Sequence, residues 1–192
     1  MPTQPTKAHK YAKLREMMLH IATKERDNPT FGATKLNKIL YYADALWYLR
    51  TGKSLTGAEY TKLDHGPAPR TLLPAQVSLV RDEAATIDIR RLPFRAQKRL
   101  VPKREAQLDG LYRVEEVEFV DQIIDALRDM SAGQTRDMTH KLLGWRLADY
   151  GEEIPYYTAL FDIDGDVAKP SDIRRGIELA KERGWSSNAS PA

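Results

Sequence analysis

The histidines of this sequence are the residues best suited to acid–base chemistry or metal binding. They are His9, His20, His65 and His140. His65 stands out because it lies between Asp64 and Gly66, and a loop histidine beside a carboxylate can act as a general base. The sequence contains no HExxH pair, GxSxG elbow, Walker loop or GxGxxG turn, and no nucleophile or second acid accompanies His65. The sequence therefore favours a structural role for His65 at a tight turn and predicts that the chain is not an enzyme.

A metal site is the second kind of chemistry that these histidines could support. His140, which precedes Gly144 and Trp145, could join Asp137 and His65 as nitrogen and oxygen ligands. A histidine that makes structural hydrogen bonds at a helix surface is far more common, and the chain has no cysteine to supply a thiolate. We therefore predict neither a metal nor a cofactor.

Aromatic and basic side chains point instead to the recognition of another macromolecule. Tyr42 and Tyr48 lie on the same predicted helix as Trp47, where the tyrosine hydroxyls can reach the surface while the tryptophan packs in the core. Seven cations lie on a predicted hairpin and its exit: Arg90, Arg91, Arg95, Lys98, Arg99, Lys103 and Arg104. Such a cluster can contact phosphates or an acidic protein, or it can protect a sheet edge in solvent.

The composition limits the fold and the compartment. A chain of 192 residues with 42% hydrophobic residues can bury one core, and no stretch approaches the roughly 20 apolar residues that span a bilayer. We therefore expect a cytoplasmic protein that does not enter a membrane, and the lack of cysteine fits a reducing compartment. The net charge of +3 hides an asymmetry: residues 1–104 carry 20 basic and 9 acidic side chains, a net +11, whereas residues 105–192 carry 10 and 18, a net −8. The two halves could neutralise each other, or the basic half could face an acidic partner.

Hydrophobic periodicity predicts the elements that position these residues. Apolar residues at spacings of three and four predict helices over residues 7–24 and 114–130. The helix predicted over residues 34–51 is apolar around most of its circumference, so we expect it to be a buried strut with other elements on several sides. Residues 85–92 and 94–101 alternate in the strand period and predict a small hairpin.

The remaining segments give weaker patterns. Residues 59–63 could form a short strand or an extended arm, and Pro67 and Pro69 are expected to open a third helix. Further helices are predicted over residues 135–147 and 171–183, followed by a disordered tail. The resulting fold class is α+β, mainly α-helical, with about six helices around a largely buried second helix and a small antiparallel β-hairpin or meander. We expect one domain over residues 1–162 and a C-terminal extension over residues 163–192 with a short helix and the tail.

Three helices followed by a basic hairpin also form the element order of a winged helix. A nucleic-acid-binding regulator is therefore the alternative function. Against it, a recognition helix needs a polar, basic face, whereas the predicted third helix offers little beyond Arg70 and Arg81 and the second helix is largely apolar.

Two sequence blocks carry a resemblance to a known family. The first block comprises residues 35–49, which read KLNKILYYADALWYL, then Thr51-Gly52-Lys53-Ser54-Leu55, Lys62 and His65-Gly66-Pro67. The second comprises Asp137-Met138-Thr139-His140, Gly144-Trp145 and Gly151-Glu152-Glu153-Ile154-Pro155-Tyr156. In this order they resemble the Panacea (SocA-like) antitoxin domain family over about residues 7–160. Ser54 stands where that family often has proline, and the chain extends beyond the resemblance after Phe161.

The resemblance implies a helical core with a small β element and a role as the antitoxin of a type II-like toxin–antitoxin system. It also implies a bacterial setting, including phage or plasmid accessory genes. The implied partner is a cognate toxin protein, neutralised by direct binding, with a bacterial AAA+ protease as a second partner if the antitoxin acts as an adaptor for toxin proteolysis. The candidate partner-binding residues are Tyr42, Tyr48, Lys53, His65, Arg90, Arg91, Arg95, Lys98 and Arg99.

Overall fold

A computed structural model describes residues 6–92 and 95–161 of the chain. Its elements follow one another in the order α1 (Lys7–Lys24), α2 (Ala33–Thr51), β1 (Tyr60–Leu63), β2 (Gly66–Pro69), α3 (Leu72–Arg81), β3 (Ala85–Leu92), β4 (Arg95–Pro102), α4 (Val114–Leu127), α5 (Ala132–His140), α6 (Leu143–Leu147) and a final 3₁₀ helix (Tyr156–Phe161). This is a mainly helical α+β fold with two small antiparallel strand pairs, so the predicted fold class is confirmed. The predicted helix over residues 171–183 and the predicted tail lie outside the described residues.

Helix α2 lies at the centre of the fold. It contacts α1, α4, α5, both strand pairs and the 3₁₀ helix. Most of its apolar side chains, including Leu36, Ile39, Leu40 and Trp47, are buried, whereas Leu46 is exposed. Burial of each such side chain stabilises the fold by about 1.5–3 kcal/mol. The predicted buried strut is therefore confirmed, and α2 ends at Gly52, whose φ of +75° is the left-handed conformation that glycine adopts at low cost.

The hairpin formed by β3 and β4 is confirmed and is paired along its whole length. Its register runs from Ala85 opposite Pro102 to Leu92 opposite Arg95. Side chains of paired residues share one face of the hairpin. The base of the hairpin packs into the core through Ala85 and Leu100, which are both buried.

The prediction that Pro67 and Pro69 open a helix is wrong, because both lie in strand β2. Strand β2 pairs with β1, and Pro67 lies opposite Lys62. The Lys62 N–H and C=O point the other way, where they bond to the Glu152 carbonyl and the Gly151 N–H at 2.9 Å each. Successive residues of an antiparallel strand alternate between bonding to the partner strand and pointing away from it. Lys62 and Pro67 form a pair whose backbone groups point away from each other, so the missing N–H of Pro67 costs no hydrogen bond to β1. The helix, α3, begins only at Leu72, with Pro74 in its first turn.

The helix predicted over residues 135–147 is divided into two. Helix α5 begins at Ala132, because the Ser131 hydroxyl accepts a hydrogen bond from the Gln134 N–H and the Gln134 side chain accepts one from the Ser131 N–H. This reciprocal pair is a capping box, so α5 begins three residues before the predicted start at residue 135. The chain leaves helical geometry at Leu142, which separates α5 from α6. Among the described helices, none combines the length and the apolar content needed to cross a bilayer.

Candidate partner-binding surface

The turn between β1 and β2 is held in place by a buried lysine of α2. The Lys38 ammonium donates a hydrogen bond of 3.1 Å to the Pro67 carbonyl, and its side chain is buried. Gly66 has a φ of +96°, and a β-carbon at this position would lie 2.4 Å from both Lys38 Nζ and Thr139 Oγ1. The turn therefore requires glycine for two reasons, its backbone conformation and its contact with α2 and α5.

A second buried lysine joins α2 to the end of α4. Lys35 Nζ donates a hydrogen bond of 2.5 Å to the Arg128 carbonyl and lies 3.4 Å from a Glu25 carboxylate oxygen. Both side chains of this ion pair are fully buried. Burial lowers the pKa of Lys35, and the Glu25 charge opposes that shift. Lys35 and Lys38, which both belong to the first block, are thus internal ties of the scaffold.

Asp44, also on α2, is buried within a cluster of hydroxyl and amide donors. It accepts hydrogen bonds from the Thr56 N–H at 2.6 Å, the Thr56 hydroxyl at 2.5 Å and the Tyr60 hydroxyl at 2.8 Å. Burial raises the pKa of Asp44 to about 6, although these donors favour the ionised form. The cluster fixes the segment between α2 and β1 against α2, so it has a structural role.

The second block packs on β1 through aromatic and cationic contacts. The His140 and Trp145 rings stack with centroids 3.8 Å apart, and Lys62 Nζ lies 4.5 Å from the Trp145 ring centroid. The Trp145 indole N–H donates to the Leu63 carbonyl at 3.1 Å. Burial lowers the pKa of His140, which favours the neutral ring. Together these contacts join the two sequence blocks into one body.

The structure does not assemble the hypothetical metal site. Within residues 6–92 and 95–161, no three His, Cys, Asp or Glu side chains are grouped so that they could hold a metal ion. His140 stacks on Trp145, while His65 and Asp137 are exposed at the surface. Asp64, the carboxylate proposed to assist His65, is exposed as well.

The predicted contact residues of α2 fall in different surroundings. The Tyr48 ring stacks on Tyr156 with centroids 5.4 Å apart, and Tyr42 contacts Tyr41 edge to face at 5.7 Å. Both tyrosines are half-buried, and burial raises the pKa of Tyr48. Lys53, beyond the C-terminal end of α2, is exposed.

The hairpin cations divide into exposed and buried groups. Arg90, Arg91 and Lys98 are exposed, and Arg90 lies 3.0 Å from Asp88. Arg99, by contrast, is only 4% exposed and donates hydrogen bonds to the Glu25 carbonyl at 3.4 Å and the Arg26 carbonyl at 2.8 Å. Arg99 therefore attaches the hairpin to the connection between α1 and α2 and is not a surface cation. Arg95 is described only through its backbone, which pairs with Leu92.

Of the exposed hairpin cations, Lys98 borders a cavity that the β1–β2 turn also reaches. This cavity has a volume of about 500 Å³, and both His65 and Lys98 line it. Arg136 of α5 also lines it and was missed by the sequence interpretation. The sequence signal for Arg136 was its position, because it lies in the first turns of α5, the capped helix that leads into the second block.

The buried charges of α2 were missed as well. A lysine or aspartate on a helix is ordinarily expected to face water. However, a helix that is apolar all around must be buried, so its polar residues need partners inside the protein. That argument would have identified Lys35, Lys38 and Asp44 as structural residues.

The described residues thus form a scaffold with buried polar contacts around α2 and a surface cavity lined in part by Lys98 and Arg136. The profile of the family described as "Antitoxin SocA-like, Panacea domain" matches residues 36–146, which is more than half of the chain. The chain therefore belongs to the SocA-like Panacea antitoxin domain family. No curated protein and no solved structure gives a significant match.

Proposed function

We propose that this protein is a cytoplasmic antitoxin that neutralises a cognate toxin by direct binding, without chemistry on the toxin. The observation that carries the proposal is its membership of the SocA-like antitoxin family over residues 36–146. We propose further that residues 1–162 act as one functional unit. In support, the described part of that range shares one hydrophobic core drawn from α1, α2, α4 and the 3₁₀ helix.

The exposed end of the hairpin and the neighbouring β1–β2 turn are the proposed contact surface. Arg91 and Lys98 are exposed on one face of the hairpin and Arg90 on the other, and His65 lies at the tip of the turn. Positive potential on such a surface accelerates the encounter with a negatively charged partner and selects against positively charged ones. Arg99 is not included in this surface, because its guanidinium is bonded to the protein's own backbone.

Co-expression with the product of the adjacent open reading frame tests the proposal. Growth rescue and co-purification by the wild-type protein are expected. We expect the Arg90→Glu/Arg91→Glu variant to bind the toxin at least tenfold more weakly, or about 1.4 kcal/mol. The matched control, Lys7→Glu/Arg146→Glu, changes the net charge equally at two exposed positions, with Lys7 about 25 Å along α1 from the end that contacts the hairpin. Toxicity that the wild-type protein does not relieve, with no complex formed, contradicts the proposal.

Delivery of the toxin to a AAA+ protease is a finer version of the same function. It predicts that the toxin's half-life in cells falls when the antitoxin is present and recovers when the protease gene is deleted. An unchanged half-life together with growth rescue indicates sequestration alone.

The nucleic-acid alternative rests on the exposed hairpin cations Arg90, Arg91 and Lys98. It predicts duplex DNA binding that weakens steeply as salt rises from about 50 to about 200 mM. Fluorescence anisotropy with a labelled duplex measures this. Rescue of growth by a variant that has lost duplex binding favours the antitoxin function over the alternative.

A further inference from the structure

The cavity beside the hairpin is built from four separate parts of the fold. They are the start of α2 with the residues just before it, the β1–β2 turn, the first half of β4 and the start of α5, and the volume of the cavity is about 500 Å³. His65, Lys98 and Arg136 are among the residues that line it. None of the described residues that line it is acidic.

Backbone donors add positive potential to this cavity. The first N–H groups of a helix have no partner within the helix and carry the positive end of its dipole. Helix α2 begins after Gly32, which has no side chain to cap these groups. At the start of α5, Ser131 Oγ accepts a hydrogen bond from the Gln134 N–H. This side-chain cap does not involve the N–H groups of Ala132 and Gly133, the two α5 residues before Gln134 that line the cavity.

Two cationic side chains supply full charges from different elements. Lys98 lies on β4 opposite Ile89, is exposed and has no ion-pair partner within the part of the chain that the structure describes. Arg136 is paired with its neighbour Asp137 at 2.7 Å, and both side chains are partly exposed to water. Such an exposed pair contributes little energy, so an incoming carboxylate can compete for the guanidinium.

We propose that this cavity binds the carboxylate side chains of an acidic peptide segment. An arginine fork bonds a carboxylate through two parallel N–H groups, and Lys98 can hold a second carboxylate as a point charge. The small side chains of Ala33, Ala96 and Ala132 leave room for the methylene groups of glutamate. Among the described lining residues the one ring is the imidazole of His65, so the cavity has no Phe, Tyr or Trp platform of the kind on which bases usually stack.

The assignment of this segment to the toxin rests on the proposed function. Lys98 belongs to both the cavity and the exposed hairpin surface, so one acidic stretch of a partner could occupy the cavity while the rest of that partner contacts the hairpin. The carboxylate site would then fix the orientation of the toxin on a surface whose other cations supply long-range attraction.

The binding test uses the full chain and a fluorescently labelled hexaglutamate peptide. At about 0.15 M ionic strength the Debye length is about 8 Å, which suppresses general attraction to a basic protein. We expect saturable binding with one site, weakened at least tenfold in Lys98→Glu/Arg136→Glu and within threefold of wild type in Lys7→Glu/Arg146→Glu. Circular dichroism checks folding, and Lys98→Met/Arg136→Met, which removes charge without repulsion, must also lose binding.

Three results overturn this proposal. They are the absence of saturable hexaglutamate binding to the wild-type protein, equal loss of binding in the cavity variant and its control, and saturable binding of pyrophosphate in place of the peptide. The last result would make the cavity a site for phosphate compounds.

Toxin neutralisation by the same variants separates this proposal from the proposed function. If wild type and control rescue growth and the cavity variant does not, the toxin supplies the acidic segment. If all three rescue growth equally, the assignment of the segment to the toxin is wrong and the antitoxin function stands. If wild type fails to rescue growth, the antitoxin function is wrong, and the peptide titration still decides whether the cavity binds carboxylates.

Discussion

Lys38 and Gly66 are in direct contact across the boundary between α2 and the β1–β2 turn. The ammonium of Lys38 occupies the space where a side chain at residue 66 would begin, and it donates its hydrogen bond to the next residue, Pro67, at 3.1 Å. The resemblance between this chain and its family includes both residues. Packing inside the scaffold accounts for the presence of both residues.

Substitution of Gly66 tests this contact. We expect Gly66→Ala to lower the free energy of unfolding by about 3 kcal/mol, because it combines a positive φ with the displacement of two buried groups, Lys38 and Thr139. Gly110→Ala is the control, since Gly110 has a φ of +74° with nothing within 4 Å of its β-carbon position, so only the conformational cost of about 1–2 kcal/mol applies. Urea unfolding measures both. Equal losses in the two variants would show that the contact with Lys38 costs nothing.

The burial of Lys38 predicts a pH dependence of stability. Burial lowers the pKa of Lys38 from 10.5 to about 7 in the folded protein. Between these values the unfolded chain binds more protons than the folded one, so stability rises with pH by at most about 1.4 kcal/mol per pH unit. Urea unfolding of the wild-type protein and of Lys38→Met between pH 7 and pH 9.5 measures this. The free energy of unfolding of the wild-type protein should increase with pH relative to that of Lys38→Met. Parallel profiles would contradict the prediction, and Lys53→Met, at an exposed position, is the control.

Asp44 predicts a change of the opposite sign at lower pH. Burial raises the pKa of Asp44 from 3.8 to about 6, so the folded protein holds a proton that the unfolded chain has released. Stability from this residue therefore falls as pH rises through that window, by roughly 3 kcal/mol in total. Asp44→Asn keeps an acceptor for the Thr56 N–H and cannot ionise, so its unfolding free energy relative to wild type should increase from pH 4 to pH 6. A constant difference would mean that Asp44 is ionised in the folded protein throughout.

The two arginines Arg99 and Arg91 predict different behaviour on one hairpin. Arg99→Ala removes the side-chain donor to the Arg26 carbonyl and one of the two donors to the Glu25 carbonyl, and it leaves a gap beside Phe31, whose ring centroid lies 5.9 Å from the guanidinium carbon. We expect it to lower the unfolding free energy by about 1–3 kcal/mol, whereas Arg91→Ala at an exposed position should stay within about 0.5 kcal/mol of wild type. Thermal unfolding followed by circular dichroism distinguishes them. If toxin binding depends on Arg99 while stability does not, the structural role given to it is wrong.

Much of the architecture follows from local sequence patterns. The spacing of apolar residues correctly predicted α1 and α4, and the apolar circumference of α2 correctly predicted its central position. Alternation correctly predicted the β3–β4 hairpin. These elements could be predicted because burial acts on one face of a helix or strand at a time, and the period of the sequence records it.

Other features depended on contacts between distant segments. Pro67 and Pro69 lie in a strand because Tyr60 and Lys62 bond to residues 151–154, which are far away in sequence. Arg99 differs from Arg91 only because the hairpin face that carries it meets the connection between α1 and α2. Neither proline chemistry nor charge alone contains this information, so the sequence could predict a basic hairpin but not which of its cations reach solvent.

The attachment of the hairpin has a consequence for how the family could diversify. Arg99 and Gln97 donate hydrogen bonds to the main-chain carbonyl oxygens of residues 25, 26, 29 and 31. Every residue type has this carbonyl oxygen, whatever its side chain. Substitutions at the exposed positions of the hairpin, and in the side chains of the connection beneath it, can therefore leave the attachment of the hairpin intact. Substitution of the solvent-exposed residues alone could adapt the surface to a new partner.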